Sequence, residues 1–192
     1  MSKKEKISDK KGALLDATLT MVNECGFHDV SMSKIANRAG VAPATIYLYF
    51  ENKQDLINTL YLETKTSFGE WALKGYKDHM PVKKGFEIIW YNIADYKLNK
   101  ANESKFLFQC DITPMIDEEI RKEALKNLQP LLDLWERGQK EGIIKPLSIF
   151  ILYAYTIYPL SFLSHMQERN LLSVNKNVLK DSFQSAWDAI KV

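Results

Sequence analysis

Apolar residues recur at helical spacing through most of the chain, and no long stretch alternates in the way that a half-buried strand does. The spacing predicts a first helix over about Asp9 to Cys25 and a short second helix that begins after Ser31. Further helices are predicted at about 53–76, 82–98, 103–110, 117–126, 128–140 and 175–191. In the long helix 53–76, Phe68 and Trp71 fall on the side that is expected to be buried. The pattern therefore predicts an all-α protein.

Two short helices joined by a glycine turn are predicted between residues 31 and 50. Ser31 suits the N-cap of the first helix, and Gly40 suits its end, because glycine adopts the left-handed conformation without steric cost. Pro43 suits the first turn of the second helix, about Pro43 to Tyr49, where a missing N–H group costs nothing. This layout is typical of a DNA-binding helix-turn-helix.

The second of these helices has few residues to bury. Ile46 and Phe50 are its expected core positions, with help from Val41. The residues that are left to project outward are Ala44, Thr45, Tyr47, Leu48 and Tyr49. Exposed aromatic side chains on so short a helix indicate a binding partner, and a DNA groove is the expected one.

The helix that follows is predicted to begin with a capping box. Asn52 is its expected N-cap, and Asp55 stands three residues on, in the position that completes the box. Lys53 and the first backbone N–H groups then lie at a helix N-terminus, which attracts a phosphate.

Residues Lys11 to Leu62 resemble the N-terminal domain of TetR-family transcriptional regulators. The matching motifs are Cys25-Gly26-Phe27, Ile35-Ala36, Ala39-Gly40-Val41, Thr45-Ile46-Tyr47, Tyr49-Phe50 and Asn52-Lys53. The resemblance implies an N-terminal three-helix helix-turn-helix DNA-binding domain over residues 1–52, with the helix-turn-helix at about 31–50. It also implies a C-terminal helical domain over residues 53–192, which binds an effector and forms the dimer.

The resemblance further implies which residues meet DNA. The expected DNA-binding residues are Ser31, Ser33, Lys34, Pro43, Ala44, Thr45, Tyr47, Leu48, Tyr49 and Lys53. The family often carries Ser, Gln, Lys or Arg where this chain has Pro43 and Ala44. Hydrogen-bonded base recognition is therefore expected to be sparse, with more weight on thymine methyl groups and DNA shape. The alternative for these helices is a packing module that has no ligand.

Charge is placed locally rather than spread over the chain, whose 192 residues carry a formal net charge of +2. Residues 1–60 hold eight Lys and Arg against seven Asp and Glu, and five of the eight lie within the first eleven residues. These five lysines are expected ahead of the first helix, either as an arm that reaches phosphates or as a solubilising tail.

The segment from Pro146 to Ser164 has no charged residue. A membrane anchor over 146–164 is one interpretation, although Pro159 and three tyrosines within it argue against a span. A helix that is apolar on all sides must be buried on all sides, and a second subunit would bury the face that the core leaves exposed. We therefore expect no membrane but a homodimer through about 147–167 and 175–191, which would bind palindromic operator DNA.

The C-terminal region is rich in aromatic residues, most of which are expected in its core. In the TetR family this region encloses a pocket for a small, often hydrophobic effector, and such pockets are mostly apolar. The expected pocket residues are Phe68, Trp71, Trp90, Tyr91, Phe106, Trp135 and Tyr153. An effector bound there would shift the helix at 53–76 and release a repressor from DNA; an activator is the other possibility.

Sequence motifs of enzymes and metal sites are absent. The three histidines His28, His79 and His165 are far apart, and no glycine-rich phosphate loop or G-x-S-x-G motif occurs. No enzymatic activity, cofactor or metal is expected, and the acidic residues at 117–123 are interpreted as a solvated helix face.

The two cysteines, Cys25 and Cys110, are expected to be buried thiols of a cytoplasmic protein, with a redox role at Cys110 as the alternative.

The competing functional class is a cytoplasmic helical protein that carries a ligand or lipid and binds no operator DNA.

Overall fold

The computed structural model describes residues 3–192, with side chains from residue 9 onward. Within these residues the regular structure consists of ten α-helices and two short 3₁₀ helices, without any strand. The α-helices are α1 Lys3–Cys25, α2 Met32–Arg38, α3 Lys53–Ala72, α4 Val82–Asn99, α5 Ala101–Ile112, α6 Glu118–Leu125, α7 Gln129–Lys140, α8 Ile149–Thr156, α9 Tyr158–Glu168 and α10 Lys176–Ile190. The 3₁₀ helices are Pro43–Leu48 and Lys126–Leu128. The predicted all-α class is confirmed.

Contacts group the chain into two compact units. The first contains residues up to 65 together with 105–123, and the second contains 66–104 together with 124–192. Helices α3 and α5 contribute residues to both units. The domain boundary after residue 52 stays a prediction, and the grouping of 105–123 with the N-terminal helices was not expected from the sequence.

The core of the first unit is mostly aliphatic, and Phe27 and Phe106 are among its aromatic members. Leu14 of α1, Ile35 of α2 and Leu56 of α3 are completely buried. The rings of Phe27 and Phe106 lie 6.0 Å apart, so α5 packs against the turn that follows α1. Burial of these apolar side chains supplies the driving force that holds the short helices in place.

The core of the second unit is built around aromatic residues of α4. Phe86 lies 6.4 Å from Trp135 of α7 and 6.0 Å from both Phe183 and Trp187 of α10, as ring centroids. The indole N–H of Trp90, also on α4, donates to the backbone oxygen of Thr156 at 2.9 Å. These contacts join α4, α7, α8 and α10 into one packed body.

The boundaries of α1 and α3 differ from the prediction. The helix α1 begins at Lys3 rather than near Asp9, so the first lysines do not precede it. The side chains of residues 1–8 lie outside the described part, and the phosphate-binding arm stays a prediction. The helix α3 ends at Ala72 rather than near Tyr76.

Trp71 was expected to be buried but is 37% exposed. Its indole N–H donates to a carboxylate oxygen of Asp95 at 3.0 Å, so the ring lies at the surface beside a polar partner. Helical spacing indicates which side of a helix faces the core. It does not indicate how completely a neighbouring element covers that side.

The apolar segment was expected to be one helix that is buried on all sides. Two helices, α8 and α9, meet instead at Ile157, two residues before Pro159. Among the described residues, Ile149–Glu168 is the one stretch long and apolar enough to cross a membrane, and 28% of its apolar window is buried within this chain. By itself this is weak evidence for a span, because core helices of soluble proteins have the same length and composition.

The two cysteines have different environments. Cys110 is buried, and burial raises the pKa of its thiol to about 12, with the nearby Asp111 adding to the shift. The prediction of a buried thiol is wrong for Cys25, which is exposed and whose Sγ lies 3.0 Å from the backbone oxygen of Met21. A thiol that stays protonated is a poor redox sensor, so Cys110 has the character of a core residue.

Candidate nucleic-acid interface

The turn between the two short helices has the predicted capping residues. Ser31 is the N-cap of α2, and its hydroxyl accepts from the backbone N–H of Lys34 at 3.4 Å. Gly40 follows α2 with φ +66°, the left-handed conformation that ends a helix at little cost only in glycine. The backbone N–H of Val41 then donates to the oxygen of Ala36 at 2.9 Å and closes the turn.

The second short helix projects two large apolar side chains into solvent. It is a 3₁₀ helix that ends at Leu48, whereas an α-helix to about Tyr49 was expected. Ile46 is completely buried and fixes the helix on the unit, while Tyr47 is 59% and Leu48 is 80% exposed. Thr45 and Tyr49 are half-buried rather than fully outward. A helix of six residues has no stability of its own, so its orientation depends on Ile46.

The start of α3 has the predicted capping box, except that Asp55 accepts from the residue before the N-cap rather than from the N-cap itself. The side-chain oxygen of Asn52 accepts from the backbone N–H of Asp55 at 3.0 Å. The carboxylate of Asp55 accepts from the N–H of Glu51 at 2.9 Å, one residue before the N-cap. The chain between the 3₁₀ helix and α3 is thereby fixed, and the first N–H groups of α3 have no partner within the helix.

Lys53 makes a contact that the sequence did not indicate. Its ammonium group donates to the backbone oxygen of Phe27, in the turn after α1. This bond ties the start of α3 to the end of α1. An ammonium group has three N–H donors, so a phosphate contact at the same group is compatible with this bond.

The other cations of the helix-turn-helix are also engaged within the protein. Arg38 makes two parallel hydrogen bonds of 2.7 Å to the carboxylate of Glu24. The ammonium group of Lys34 donates to the backbone oxygen of Asp29 at 2.9 Å. From Val41 to Phe50 the chain has no charged or amide side chain at all. The exposed face of the segment 41–50 therefore offers hydroxyl, aromatic and aliphatic groups rather than cations.

Hydrogen bonds connect the segment 105–123 to α1. Lys105 donates to the backbone oxygen of Asn23 at 2.8 Å, and the amide of Gln109 donates to the side-chain oxygen of Asn23 at 3.0 Å. Both partners of Asn23 are more than 80 positions away in the sequence. No local pattern could have indicated these contacts.

The same segment is fastened to α3. Asn58 donates to a carboxylate oxygen of Asp117 at 2.7 Å, and Gln54 donates to the backbone oxygen of Met115 at 2.9 Å. Arg121 closes the loop between α5 and α6, because its guanidinium donates to the backbone oxygens of Cys110 and Thr113 at 2.6 and 2.7 Å. The loop thus lies against the first turns of α3.

The predicted effector-pocket residues fall into separate groups. Phe68 and Trp71 pack edge-on against Tyr96, at 5.0 and 6.1 Å between ring centroids. Trp90, Tyr91 and Trp135 belong to the aromatic core of the second unit, and Tyr153 on α8 is half-buried. Phe106 differs from the others because it lies in the first unit, against Phe27. The seven residues therefore do not line one common cavity within the second unit.

A groove of about 530 Å³ lies between α8, α9 and α10. Among the predicted pocket residues, only Trp90 lines it. The remaining lining is mostly apolar, including Tyr155, Phe162 and Val178, with Asp181 and two serines on the α10 side. Sequence reasoning had assigned these helices to a dimer interface rather than to a pocket.

The outer face of α8 and α9 is apolar and exposed. Phe150 is 80% exposed, and Tyr155 and Phe162 are 63% and 62% exposed. Several large apolar side chains exposed on two neighbouring helices indicate an interaction site.

Several buried polar atoms lack a hydrogen-bond partner within the described residues. Among them, in the second unit, are the hydroxyls of Tyr96 and Ser104 and the indole N–H of Trp135. Burial raises the pKa of Tyr96, so its phenol stays neutral. Among the described residues, no group of three or more His, Cys, Asp or Glu side chains is placed to hold a metal ion.

The fold and the exposed face of Pro43–Leu48 define a helix-turn-helix protein of the DNA-binding class. Residues 14–60 match the family described as bacterial regulatory proteins, tetR family. Residues 81–191, more than half of the chain, match the family described as tetracyclin repressor-like, C-terminal domain. The chain belongs to the TetR family of transcriptional regulators. It is therefore a regulator and not an enzyme.

Two relatives illustrate how the similarity is distributed. The fatty acid metabolism regulator protein of Bacillus subtilis is 37% identical over 76 residues, which are 40% of this chain and 39% of that protein. The match thus spans less than half of that relative. An uncharacterized HTH-type transcriptional regulator of Haemophilus influenzae is 25% identical over 186 residues, covering 96% of this chain and 97% of that one.

Solved structures share the fold over almost the whole chain. A TetR family transcription regulator from Marinobacter aquaeolei VT8 has a TM-score of 0.92 at 23% identity and covers 98% of both chains. The regulator FadR from Bacillus subtilis, solved in complex with stearoyl-CoA, has a TM-score of 0.67 at 22% identity over 92% of this chain and 95% of that one. At these identities the likeness concerns the fold alone.

Proposed function

We propose that this regulator binds a palindromic operator as a homodimer and represses transcription until a small effector releases it. The observation that carries the DNA-binding part is the exposure of Tyr47 and Leu48 on a short helix that Ile46 anchors. A rigidly held helix with outward aromatic and aliphatic side chains fits a major groove. We propose that the ten residues predicted from the sequence make the DNA contacts, with Tyr47 at the centre.

The homodimer is proposed to form through α8, α9 and α10. Exposed Phe150, Tyr155 and Phe162 would be covered by the same face of a second copy, as in an isologous two-fold interface. The groove between these helices gives the partner's side chains a place to pack. Two recognition helices related by the two-fold axis would then reach half-sites about 34–36 Å apart.

The effector is proposed to be a small hydrophobic or aromatic molecule that binds within the second unit. FadR, which shares this fold, was solved with stearoyl-CoA, and the aromatic interior of this chain suits an apolar ligand of related character. The buried hydroxyl of Tyr96 and the indole N–H of Trp135 offer hydrogen-bond donors to its polar group.

Release from DNA is proposed to involve α3, which contributes residues to both units. The effector must bind the released state more tightly than the DNA-binding state, and such couplings are typically about 1–3 kcal/mol. We place the protein in the cytoplasm, where bacterial regulators of this family meet the chromosome.

The experiment that tests this proposal measures binding to the DNA upstream of the protein's own gene and of its neighbours. Random duplexes of equal length serve as the reference, and each measurement is made at two salt concentrations. Preference for one short palindromic fragment that persists at the higher salt is expected, because non-specific phosphate binding is lost first. Equal weak binding to all fragments would contradict operator recognition and would favour a ligand carrier.

A further inference from the structure

The exposed side chains of the 3₁₀ helix Pro43–Leu48 are unusual in their chemistry. The segment from Val41 to Phe50 contains no Arg, Lys, Asn, Gln, Asp or Glu. Arg and Lys are the side chains that recognise guanine, and Asn and Gln are those that recognise adenine through paired hydrogen bonds. This helix therefore lacks every side chain that makes a bidentate contact with a base.

The neighbouring cations lie outside this helix, and each makes a hydrogen bond within the first unit. Arg38 is held in a bidentate pair with Glu24, and Lys34 donates to the backbone oxygen of Asp29. Lys53 donates to the backbone oxygen of Phe27, in the turn after α1. Each of these cations is held by a partner within the first unit.

Among the side chains that the structure describes in this unit, Leu48 is the most exposed large apolar one. It is 80% exposed, while Ile46, two residues earlier, is completely buried and fixes the helix below it. An aliphatic side chain makes no hydrogen bond, so the single feature of the major groove that it can recognise is the C5 methyl group of thymine. Contact between the two would remove apolar surface of both from water.

We propose that Leu48 is a specificity-determining residue, which selects thymine at one position of each half-site through the thymine methyl group. This inference rests on the proposed operator binding and adds the chemical feature that is recognised. In a two-fold symmetric complex both copies of Leu48 make the same contact, so each operator contains two such thymines.

The test uses the full-length protein and a duplex that the wild-type protein selects from a randomised DNA pool. Each symmetric pair of thymidines is replaced in turn by deoxyuridine, which removes the methyl group and keeps all hydrogen-bonding groups. At one of these pairs the replacement removes both methyl groups that Leu48 contacts, and binding is expected to weaken about tenfold. Each methyl group contributes about as much as one buried CH₂.

The variant Leu48→Ala assigns the effect to this side chain. It is expected to bind the thymidine and deoxyuridine duplexes equally, while Leu48→Met keeps a preference for the methyl group. The matched control is Leu125→Ala, which removes a leucine that is 59% exposed in the second unit and is expected to retain the wild-type preference.

The outcomes separate this inference from the proposed function. Selective binding without sensitivity to any thymine methyl group would overturn the role of Leu48 and leave operator binding in place. The role would also be overturned if Leu48→Ala kept the methyl preference. Failure of the wild-type protein to select any duplex would instead contradict the proposed function.

Discussion

The side-chain amide of Gln109 donates to the side-chain oxygen of Asn23 at 3.0 Å, across 86 positions of sequence. Through this bond the helix α5 is joined to the last turn of α1, next to the turn that leads into the helix-turn-helix. A segment from the middle of the chain thereby becomes part of the unit that carries the proposed DNA-binding face.

We predict that Asn23 and Gln109 are energetically coupled. Removing either side chain with Asn23→Ala or Gln109→Ala is expected to lower the free energy of unfolding by about 1 kcal/mol, since each change breaks the same hydrogen bond. The double variant is expected to cost less than the sum of the two single variants. Urea unfolding of the four proteins measures this coupling. Strictly additive effects would show that the bond contributes nothing.

As a control, Gln184→Ala removes an exposed bond to Asp188 and is expected to change the stability by less than about 0.5 kcal/mol.

Two glycine substitutions are predicted to have opposite effects. Gly40 has φ +66°, so Gly40→Ala is expected to destabilise the protein by about 1 kcal/mol or more. Gly12 lies within α1, and a Cβ added there meets no atom within 4 Å. Gly12→Ala is therefore expected to stabilise the protein by about 0.5–1 kcal/mol. Thermal unfolding distinguishes the two, and equal shifts in Tm would contradict the assigned turn conformation.

The two thiols are predicted to react at very different rates. Cys25 is exposed and is expected to react with a thiol reagent in the folded protein, whereas Cys110 is expected to react only after unfolding. The variant Cys25→Ser should leave no fast phase. Two fast thiols in the wild-type protein would show that the environment assigned to Cys110 is wrong.

Alkaline pH is predicted to weaken the fold through Cys110. Its pKa is raised from 9.0 to about 12 in the folded protein, so the folded state retains a proton that the unfolded state loses. The stabilisation is complete below about pH 9 and is lost as the pH rises towards 12. Urea unfolding between pH 8 and 11 is expected to show a smaller decline for Cys110→Ala than for the wild-type protein. An equal decline would mean that this thiol does not contribute.

A charge on the outer face of α9 is predicted to abolish the dimer. Phe162 lines the groove and is 62% exposed, so Phe162→Asp would place two carboxylates in an apolar interface. Sedimentation is expected to show a monomer, and binding to a palindromic duplex is expected to fall by more than tenfold. The control Leu125→Asp, at a leucine of similar exposure, is expected to stay dimeric. A dimeric Phe162→Asp protein would place the interface elsewhere.

The sequence predicted the features of this fold that depend on local signals. Ser31, Gly40, Pro43 and Asn52 each act within a few residues, and all four have the predicted structural role. The break at Ile157 was missed although Pro159 indicates it, because proline has no N–H group to continue the preceding helix and instead suits the first turn of a new one. The helix-turn-helix could therefore be predicted almost completely.

The missed features depend on contacts between distant segments. The bonds from Asn23 to Lys105 and Gln109 join positions that no periodicity relates. The same reason explains why the predicted pocket residues were scattered: Phe106 and Trp90 have the same apolar character, but they lie in different units. Composition indicates that an aromatic residue is buried and does not indicate which neighbours surround it.

A footprint on the selected duplex tests the central claim most directly. The wild-type protein is predicted to protect two half-sites about 10 base pairs apart, centre to centre, as expected for a dimer with two recognition helices. Tyr47→Ala is predicted to remove both protected regions at the same protein concentration while the dimer and its thermal unfolding stay unchanged. Protection that persists in Tyr47→Ala would contradict the assignment of the 3₁₀ helix Pro43–Leu48 as the DNA-binding face.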